Sequence, residues 1–309
     1  MHLQSSLERV LHMTELSIIV PTMDEPTAPA LIGRLRELFP GSEIIVVDKS
    51  SIKERRRLER TGSQIISQES SGYENALMEG FRAAHGDMLA TIDADGTYYA
   101  EDLKKVVVEL KRGAYGFVSG SREFHEKGAM TRTIRFGNRF LTGLYNALYR
   151  RGMHDVLSGV FAMRKEAFDS IRDEQPYRAG TIFFEIELAR RGFAIKDIPI
   201  KYGVRAGTTP RITKSKTLYG FTMAFHAIRY ARDYNPLLLF GSIGVILIVA
   251  GLVVGALVLL NYLATGTLNE VGRALIAFML VLVGFLSIIA GLILDLLLEV
   301  ERKLYRARK

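Results

Sequence analysis

Hydrophobic and polar positions follow two different periods along the first two thirds of the chain. Short runs rich in β-branched residues alternate with segments in which apolar residues recur every three or four positions. The short runs predict strands and the wider spacing predicts amphipathic helices, an alternation typical of an α/β fold with a mostly parallel sheet. The predicted strands are LSIIV (16–20), EIIVVD (43–48), QIIS (64–67), MLATID (88–93), FVSGS (117–121) and IPIKY (198–202). The clearest predicted helices are APALIGRLRELF, ENALMEGFRAAHG and EDLKKVVVELKRG.

The last third of the chain has long apolar runs instead. No residue is charged from Pro236 to Asn269, and a second apolar run continues from Ala274 to Leu294. Because about 20 apolar residues in a helix cross a bilayer core of about 30 Å, each run predicts a transmembrane helix. The connector between them carries no Lys or Arg, whereas basic residues flank both outer ends. The positive-inside rule therefore predicts a multi-pass protein of the cell membrane with the α/β part and both termini in the cytoplasm.

These changes in pattern predict six parts of the chain. A basic, aromatic and amphipathic stretch precedes the first apolar run, as expected of a segment at the membrane interface. The predicted parts are an N-terminal extension (1–14), an α/β domain (15–205), the interface segment (206–235), two transmembrane helices (236–262 and 272–298) and a basic tail (299–309).

Composition excludes several classes of function. The 309 residues include no cysteine, which excludes a disulfide scaffold, a zinc–thiolate site and a thiol nucleophile. The N-terminus has no long apolar segment, so no cleaved signal peptide is predicted. The net charge of +8 includes the basic tail, whose position favours contact with the membrane surface over nucleic acid. The run KERRRLER (53–60) is interpreted as a solvated or membrane-facing helix face, because no aromatic stacking platform or recognition helix accompanies it.

The motif ATIDADGT (90–97) is the strongest local sign of chemistry. Alternate residues of a strand point to the same side, so Asp93 and Asp95 are predicted to emerge together at the carboxyl edge of the sheet. Two carboxylates there suit a hard divalent cation that neutralises a diphosphate. An isolated DxD motif is equally compatible with a solvated turn, but its neighbours favour a binding site, since acidic or glycine-bearing turns follow the first three strands as well.

The ordered set of motifs resembles that of the dolichyl-phosphate mannose synthase and polyprenyl-phosphate glycosyltransferase group. The resemblance covers about residues 15 to 218 and rests on PTMDE, VVD, GYENALMEGFRAAHGD, DAD, GSR, DVLSGVFAMR and a late R-x-G followed by SK. It implies a Rossmann-like GT-A fold and inverting sugar transfer from a nucleotide sugar, GDP-mannose or UDP-glucose. The implied acceptor is dolichyl or undecaprenyl phosphate, and the implied cofactor is Mg²⁺ or Mn²⁺.

The resemblance also implies roles for individual residues. Those matching the nucleotide site are Pro21, Glu25, Asp48 and Asp93; Asp95 matches the metal ligand. Those on the acceptor side are Arg122, Arg135 and Ser158, and the late basic pair over the phosphates is Arg205 and Lys216, with Lys214 competing for the latter role. Two positions depart from the group: Lys49 stands where a second aspartate is common, and Thr97 stands where a Gln or Asn is common.

The residue types suit this chemistry. A phosphate monoester is already anionic at neutral pH, because its second pKa is about 6, so the acceptor oxygen needs no strong general base. Catalysis then depends on cations that hold two phosphate groups together and stabilise the leaving nucleoside diphosphate. Two alternatives stay open: a membrane-tethered scaffold of the same fold without turnover, and a processive polysaccharide synthase, which the absence of tryptophan disfavours because those enzymes share a QxxRW element.

Several segments allow two interpretations each. In residues 131–152, Arg132, Arg135 and Arg139 recur beside an apolar face, which indicates a lipid-admitting helix on the membrane or an ordinary helix packed on the sheet. Asp155 is interpreted as an acceptor contact or a turn cap. For Glu185, pairing with an arginine is favoured over orienting the acceptor. Glycines in the two apolar runs predict close helix packing and allow a homo-oligomer.

Overall fold

The computed structural model describes residues 15–149, 152–174, 181–206, 236–267 and 271–307. The predicted extension (1–14), nearly all of the predicted interface segment, and both Lys214 and Lys216 lie outside the described residues. The chain divides into two compact units, Met1–His226 and Ala227–Lys309, each taken by itself below.

A seven-stranded sheet forms the centre of the first unit. Its strands are β1 (Leu16–Thr22), β2 (Glu43–Asp48), β3 (Gln64–Ser67), β4 (Met88–Thr91), β5 (Phe117–His125), β6 (Phe161–Arg164) and β7 (Ile195–Tyr202). The spatial order is β3-β2-β1-β4-β6-β5-β7. Strands β1 to β4 pair in parallel with one another, β6 is antiparallel to both β4 and β5, and β5 is parallel to β7. The predicted α/β class with a mostly parallel sheet is confirmed.

Seven helices accompany this sheet in the described part of the first unit. They are α1 (Ala28–Leu38), α2 (Ile52–Glu59), α3 (Tyr73–Ala83), α4 (Ala100–Arg112), α5 (Arg132–Tyr149), α6 (Lys165–Asp169) and α7 (Ile182–Arg190). All seven residues of β1 are buried, as expected of a central strand covered on both faces. Gly80 of α3 lets this helix approach β1, since a Cβ there would lie 2.6 Å from a methyl carbon of Ile19.

The second unit is a helical hairpin of α8 (Pro236–Thr265) and α9 (Val271–Ala307). Both helices are long and apolar enough to cross a membrane, with mean hydropathy of 3.1 and 2.8 over their most apolar windows. Close packing at glycine is confirmed for several positions. A Cβ added at Gly244 would lie 2.5 Å from the carbonyl oxygen of Gly284, and one at Gly251 would lie 2.8 Å from that of Ala277. Gly255 has only ordinary contacts, at 3.7 Å.

Candidate active site

One edge of the sheet gathers most of the predicted site residues. The parallel strands β1 to β4 end there, and so do β5 and β7, because β6 runs opposite to both β4 and β5. The segment before β6 reaches the same edge for that reason. Carboxyl ends of strands in open α/β sheets are where ligands bind. The predicted site residues on segments at this edge are Pro21, Glu25, Asp48, Asp93, Asp95, Arg122, Ser158 and Arg205.

Asp95 shares its two carboxylate oxygens between different partners. Oδ1 accepts hydrogen bonds from the backbone N–H of Thr97 at 3.0 Å and from its hydroxyl at 2.6 Å. Oδ2 lies 3.7 Å from Nη1 of Arg205, whose Nη2 donates to Oε1 of Glu25 at 2.6 Å. Arg205 therefore bridges Glu25 and Asp95, the carboxylates for which the family resemblance implies nucleotide and metal roles.

Asp93 lies in a tighter environment than Asp95. Its Oδ1 accepts a hydrogen bond from the hydroxyl of Tyr73 at 2.6 Å. A Cβ added at Gly159 would overlap its Oδ2, so any larger residue there would displace the Asp93 carboxylate. Burial and the neighbouring charge of Asp95 raise the pKa of Asp93 to about 7, although the Tyr73 hydrogen bond opposes them. The tyrosine, which the sequence analysis did not single out, orients the first aspartate of the motif.

Arg122 forms a buried ion pair with Asp155. Its Nε and Nη2 donate to the two carboxylate oxygens at 2.6 and 2.8 Å, and its backbone N–H donates to Oδ2 at 3.1 Å. The side chains are 10% and 3% exposed. Burial would lower the pKa of Arg122, but Tyr98 and Asp155 hold it well above its ordinary value. Asp155 also accepts from Leu157 N–H at 3.1 Å. Asp155 therefore caps a turn, which is one of its two predicted roles, and it also pairs with Arg122, which the sequence analysis did not predict.

Two nucleotide-side residues differ in what they offer a ligand. Pro21 is buried within β1. Asp48 is 2% exposed, and its Oδ1 accepts from Ser50 N–H at 3.0 Å. Its Oδ2 has no hydrogen-bond partner among the residues that the structure describes, and Nη1 of Arg55 lies 3.8 Å from it. A buried carboxylate oxygen left this way is suited to accept a hydrogen bond from a ligand.

The departures at positions 49 and 97 have structural counterparts. Lys49 donates from Nζ to the hydroxyl of Ser71 at 3.1 Å, and both residues are exposed. Thr97 is 3% exposed and uses its hydroxyl on Asp95. Ser158, predicted on the acceptor side, is 2% exposed, and its hydroxyl oxygen accepts from Val160 N–H at 3.3 Å.

Helix α5 presents a basic and aromatic surface. Arg135 and Arg139 are exposed, and neither forms an ion pair with a carboxylate in the described part of the chain. Two phenylalanines on the same helix are exposed as well, Phe136 at 73% and Phe140 at 57%. Asn138 of this helix donates to Oδ1 of Asp155 at 3.0 Å, which links α5 to the Arg122 pair. An exposed face of this composition fits an anionic, amphiphilic partner.

Two further ionisable groups, His125 and Glu185, have surroundings that the sequence analysis did not predict. His125, at the end of β5, has its pKa lowered by burial and by the charges of Arg135 and Arg122. Glu185 of α7 is 1% exposed, and its Oε2 has no hydrogen-bond partner within the described ranges. Burial and the charges of Asp155 and Asp197 raise its pKa well above the ordinary value. The favoured pairing of Glu185 with an arginine is wrong for the described residues, which contain no such ion pair.

The residues at this edge fit a divalent cation only in combination with a ligand. No group of three or more His, Cys, Asp or Glu side chains that could hold a metal occurs in the described residues. Mg²⁺ is commonly bound by one or two carboxylates together with substrate phosphates and water, and Asp95 offers that kind of oxygen donor. The donor set therefore suits a cation that arrives with a diphosphate.

Comparison with known proteins identifies the family. The model for glycosyl transferase family 2 matches residues 17–172. The chain belongs to this family. A glycosyltransferase of Haloferax volcanii, AglJ, is 29% identical over 293 residues, covering 93% of this chain and 94% of the relative. A dolichyl-phosphate hexose transferase of the same organism is 29% identical over 197 residues, covering 63% of this chain and 86% of the relative.

More distant relatives agree with this assignment. A dolichol-phosphate mannosyltransferase of Pyrococcus furiosus is 24% identical over 246 residues, covering 76% of this chain and 68% of that protein. Among solved structures, glucosyl-3-phosphoglycerate synthase of Mycobacterium tuberculosis superimposes with a TM-score of 0.57 at 22% identity, covering 74% of this chain and 81% of that one. At that identity the likeness concerns the fold alone, and it confirms the GT-A architecture of this glycosyl transferase family 2 chain.

Proposed function

We propose that this protein transfers a hexose from a nucleoside-diphosphate sugar to a polyprenyl phosphate. The observation that carries the proposal is the meeting of Asp93 and Asp95 with Arg122 and Arg205 at one sheet edge, next to the basic and aromatic face of α5. Carboxylates suit the metal-bound diphosphate of a donor, and arginines suit phosphates. The names of two relatives, a dolichyl-phosphate hexose transferase and a dolichol-phosphate mannosyltransferase, support the same acceptor class.

In this proposal the donor is GDP-mannose or UDP-glucose, and its base lies near Asp48. Oδ2 of Asp48, which accepts no hydrogen bond from a described residue, would accept a base N–H, and Glu25 would lie beside the ribose. Mg²⁺ or Mn²⁺, held by Asp95 and the diphosphate, would supply Lewis-acid stabilisation of the leaving group. Arg205 would bind the diphosphate, because it lies beside both Asp95 and Glu25. Lys216 is proposed as its partner on sequence grounds.

The acceptor phosphate is proposed to bind between Arg122 and Arg135. Asp155 accepts hydrogen bonds from Nε and Nη2 of Arg122, and these two bonds fix the guanidinium. Nη1 takes no part in them. Ser158 is the third predicted acceptor-side residue, and its buried hydroxyl would have to become accessible for direct contact. Since the acceptor is already anionic, the residues need only align it for in-line attack on the anomeric carbon, and the product sugar is inverted.

The apolar hairpin fits this assignment. A substrate with a polyprenyl chain resides in the bilayer, so an enzyme held at the membrane surface meets it there. We propose that the hairpin spans the cell membrane with the catalytic unit and both termini in the cytoplasm, on the basis of the basic residues that flank its outer ends.

A donor panel tests the function directly. Purified full-length protein in nanodiscs is incubated with dolichyl or undecaprenyl phosphate, Mg²⁺ or Mn²⁺, and radiolabelled GDP-mannose or UDP-glucose. The expected product is a lipid-extractable, singly glycosylated phosphate whose anomeric configuration is opposite to that of the donor. Absence of lipid-linked sugar with every donor would favour the non-catalytic scaffold, and a product longer than one sugar would favour a polysaccharide synthase.

A further inference from the structure

The hydroxyl of Thr97 performs a different task from that of a metal ligand. It donates to Oδ1 of Asp95 at 2.6 Å, while the backbone N–H of the same residue donates to the same oxygen at 3.0 Å. Both hydrogen bonds converge on one of the two carboxylate oxygens. The other oxygen, Oδ2, has Arg205 at 3.7 Å. The two carboxylate oxygens of Asp95 therefore have different surroundings. Oδ1 accepts both hydrogen bonds from Thr97, and Oδ2 faces the guanidinium of Arg205.

The loop that carries Thr97 is itself fixed in place. The backbone N–H of Gly203 donates to the carbonyl oxygen of Thr97 at 2.8 Å, and that of Ala206 donates to the carbonyl oxygen of Asp95 at 3.2 Å. Gly96 has a positive φ of 80°, and a Cβ there would lie 3.0 Å from the Cβ of Ala206. The turn is thus joined to the segment after β7, and Thr97 is 3% exposed within it. A hydroxyl in such a setting cannot turn outward without losing its partner.

We propose that Thr97 is a positioning residue that orients Asp95 for a divalent cation bound through Oδ2. This inference rests on the proposed function, because it takes the cation to arrive with a nucleoside diphosphate. Hydrogen bonds to a ligating carboxylate fix its orientation, and loss of such a partner commonly weakens metal binding by about 10- to 100-fold. Arg205, whose Nη1 lies 3.7 Å from Oδ2, would pair with the diphosphate that accompanies the cation.

The test compares Thr97→Val, which removes the hydroxyl at nearly constant shape, with Thr97→Ser, which keeps it. Thr91→Val is the matched control, because Thr91 is fully buried in β4 and its hydroxyl has no hydrogen-bond partner in the described residues. Free Mn²⁺ is measured by electron paramagnetic resonance as it is titrated into full-length protein with excess GDP and, in parallel, with excess UDP. Thermal unfolding of each variant is recorded alongside.

Thr97→Val is expected to raise the Mn²⁺ concentration for half-saturation of the ternary complex by about tenfold or more, while Thr97→Ser and Thr91→Val stay within about twofold of the unaltered protein. Unchanged or tighter Mn²⁺ binding in Thr97→Val would overturn the proposal, and so would equal weakening in Thr91→Val or absence of Mn²⁺ binding by the unaltered protein. The donor panel tests sugar transfer independently of these Mn²⁺ titrations. If the Mn²⁺ affinities of the variants are as expected but no donor yields lipid-linked sugar, the proposed function is refuted and the positioning role of Thr97 is not.

Discussion

The ion pair between Arg122 and Asp155 offers a prediction whose magnitude follows from burial. The two side chains are 10% and 3% exposed and joined by two side-chain hydrogen bonds. Asp155→Asn keeps the shape but removes the charge that compensates a buried guanidinium. Breaking a buried pair from one side costs about 3–5 kcal/mol. Because asparagine retains one accepting oxygen, we expect a loss of about 3 kcal/mol in the free energy of unfolding, at the lower end of that range.

The loss is measurable by differential scanning calorimetry of full-length protein, supported by near-ultraviolet circular dichroism of tyrosine, since the chain has no tryptophan. At about 2–4 °C per kcal/mol for a domain of about 150–250 residues, the Tm of the first unit should fall by about 6–12 °C. Glu37→Gln is the control. Glu37 and its partner Arg34 are 67% and 48% exposed, and loss of an exposed pair should cost less than about 1 kcal/mol.

The same pair should make stability depend on pH in the acid range. Burial opposes ionisation of Asp155, but the charge of Arg122 and its hydrogen bonds hold the pKa of that carboxyl below its ordinary value. The pair therefore stabilises the fold above about pH 4 and loses this contribution as the pH falls further. The stability difference between Asp155→Asn and the unaltered protein should be constant from pH 6 to 8 and shrink below about pH 4. A difference under about 0.5 kcal/mol at neutral pH, no larger than ordinary surface changes, would refute this account of the pair.

Three further predictions concern buried positions in the two units. For Glu185→Gln, the free energy of unfolding in urea should rise relative to that of the unaltered protein as the pH increases from 4 to 8. The raised pKa of Glu185 makes its ionisation in the folded protein destabilising, and glutamine cannot ionise. An equal difference in unfolding free energy at pH 4 and pH 8 would contradict this. Gly159→Ala should lower the free energy of unfolding by about 1–3 kcal/mol, because its Cβ would overlap the carboxylate of Asp93, and calorimetry showing no loss would exclude that overlap. Gly244→Val should lower the free energy of unfolding of the hairpin in detergent by a similar amount, about 1–3 kcal/mol, because a side chain there would meet the facing helix. Gly255→Ala is the control and should leave this free energy unchanged. Equal losses in the two variants would contradict glycine-dependent contact.

Patterns within short segments predicted much of the fold. All six predicted strands are present, because each is a run of apolar or β-branched residues with turn residues beside it. The structure extends β5 to His125 and begins β7 at Ile195, where the sequence becomes polar and gives no boundary signal. Strand β6 was missed. Its four residues follow a polar turn without alternation, and its antiparallel pairing with β4 and β5 makes it a strand.

The sequence by itself determined the α/β class, the two apolar helices and the carboxylates at strand ends, because each depends on residues near one another in the chain. The family resemblance also came from the sequence, because it needs only short motifs and their order. Only the tertiary structure decided which charges meet. Asp155 reaches Arg122 across 33 positions and Arg205 reaches Glu25 across 180, since strand order brings these segments to one edge. Pairing at such separations depends on topology and burial, and no local pattern encodes it.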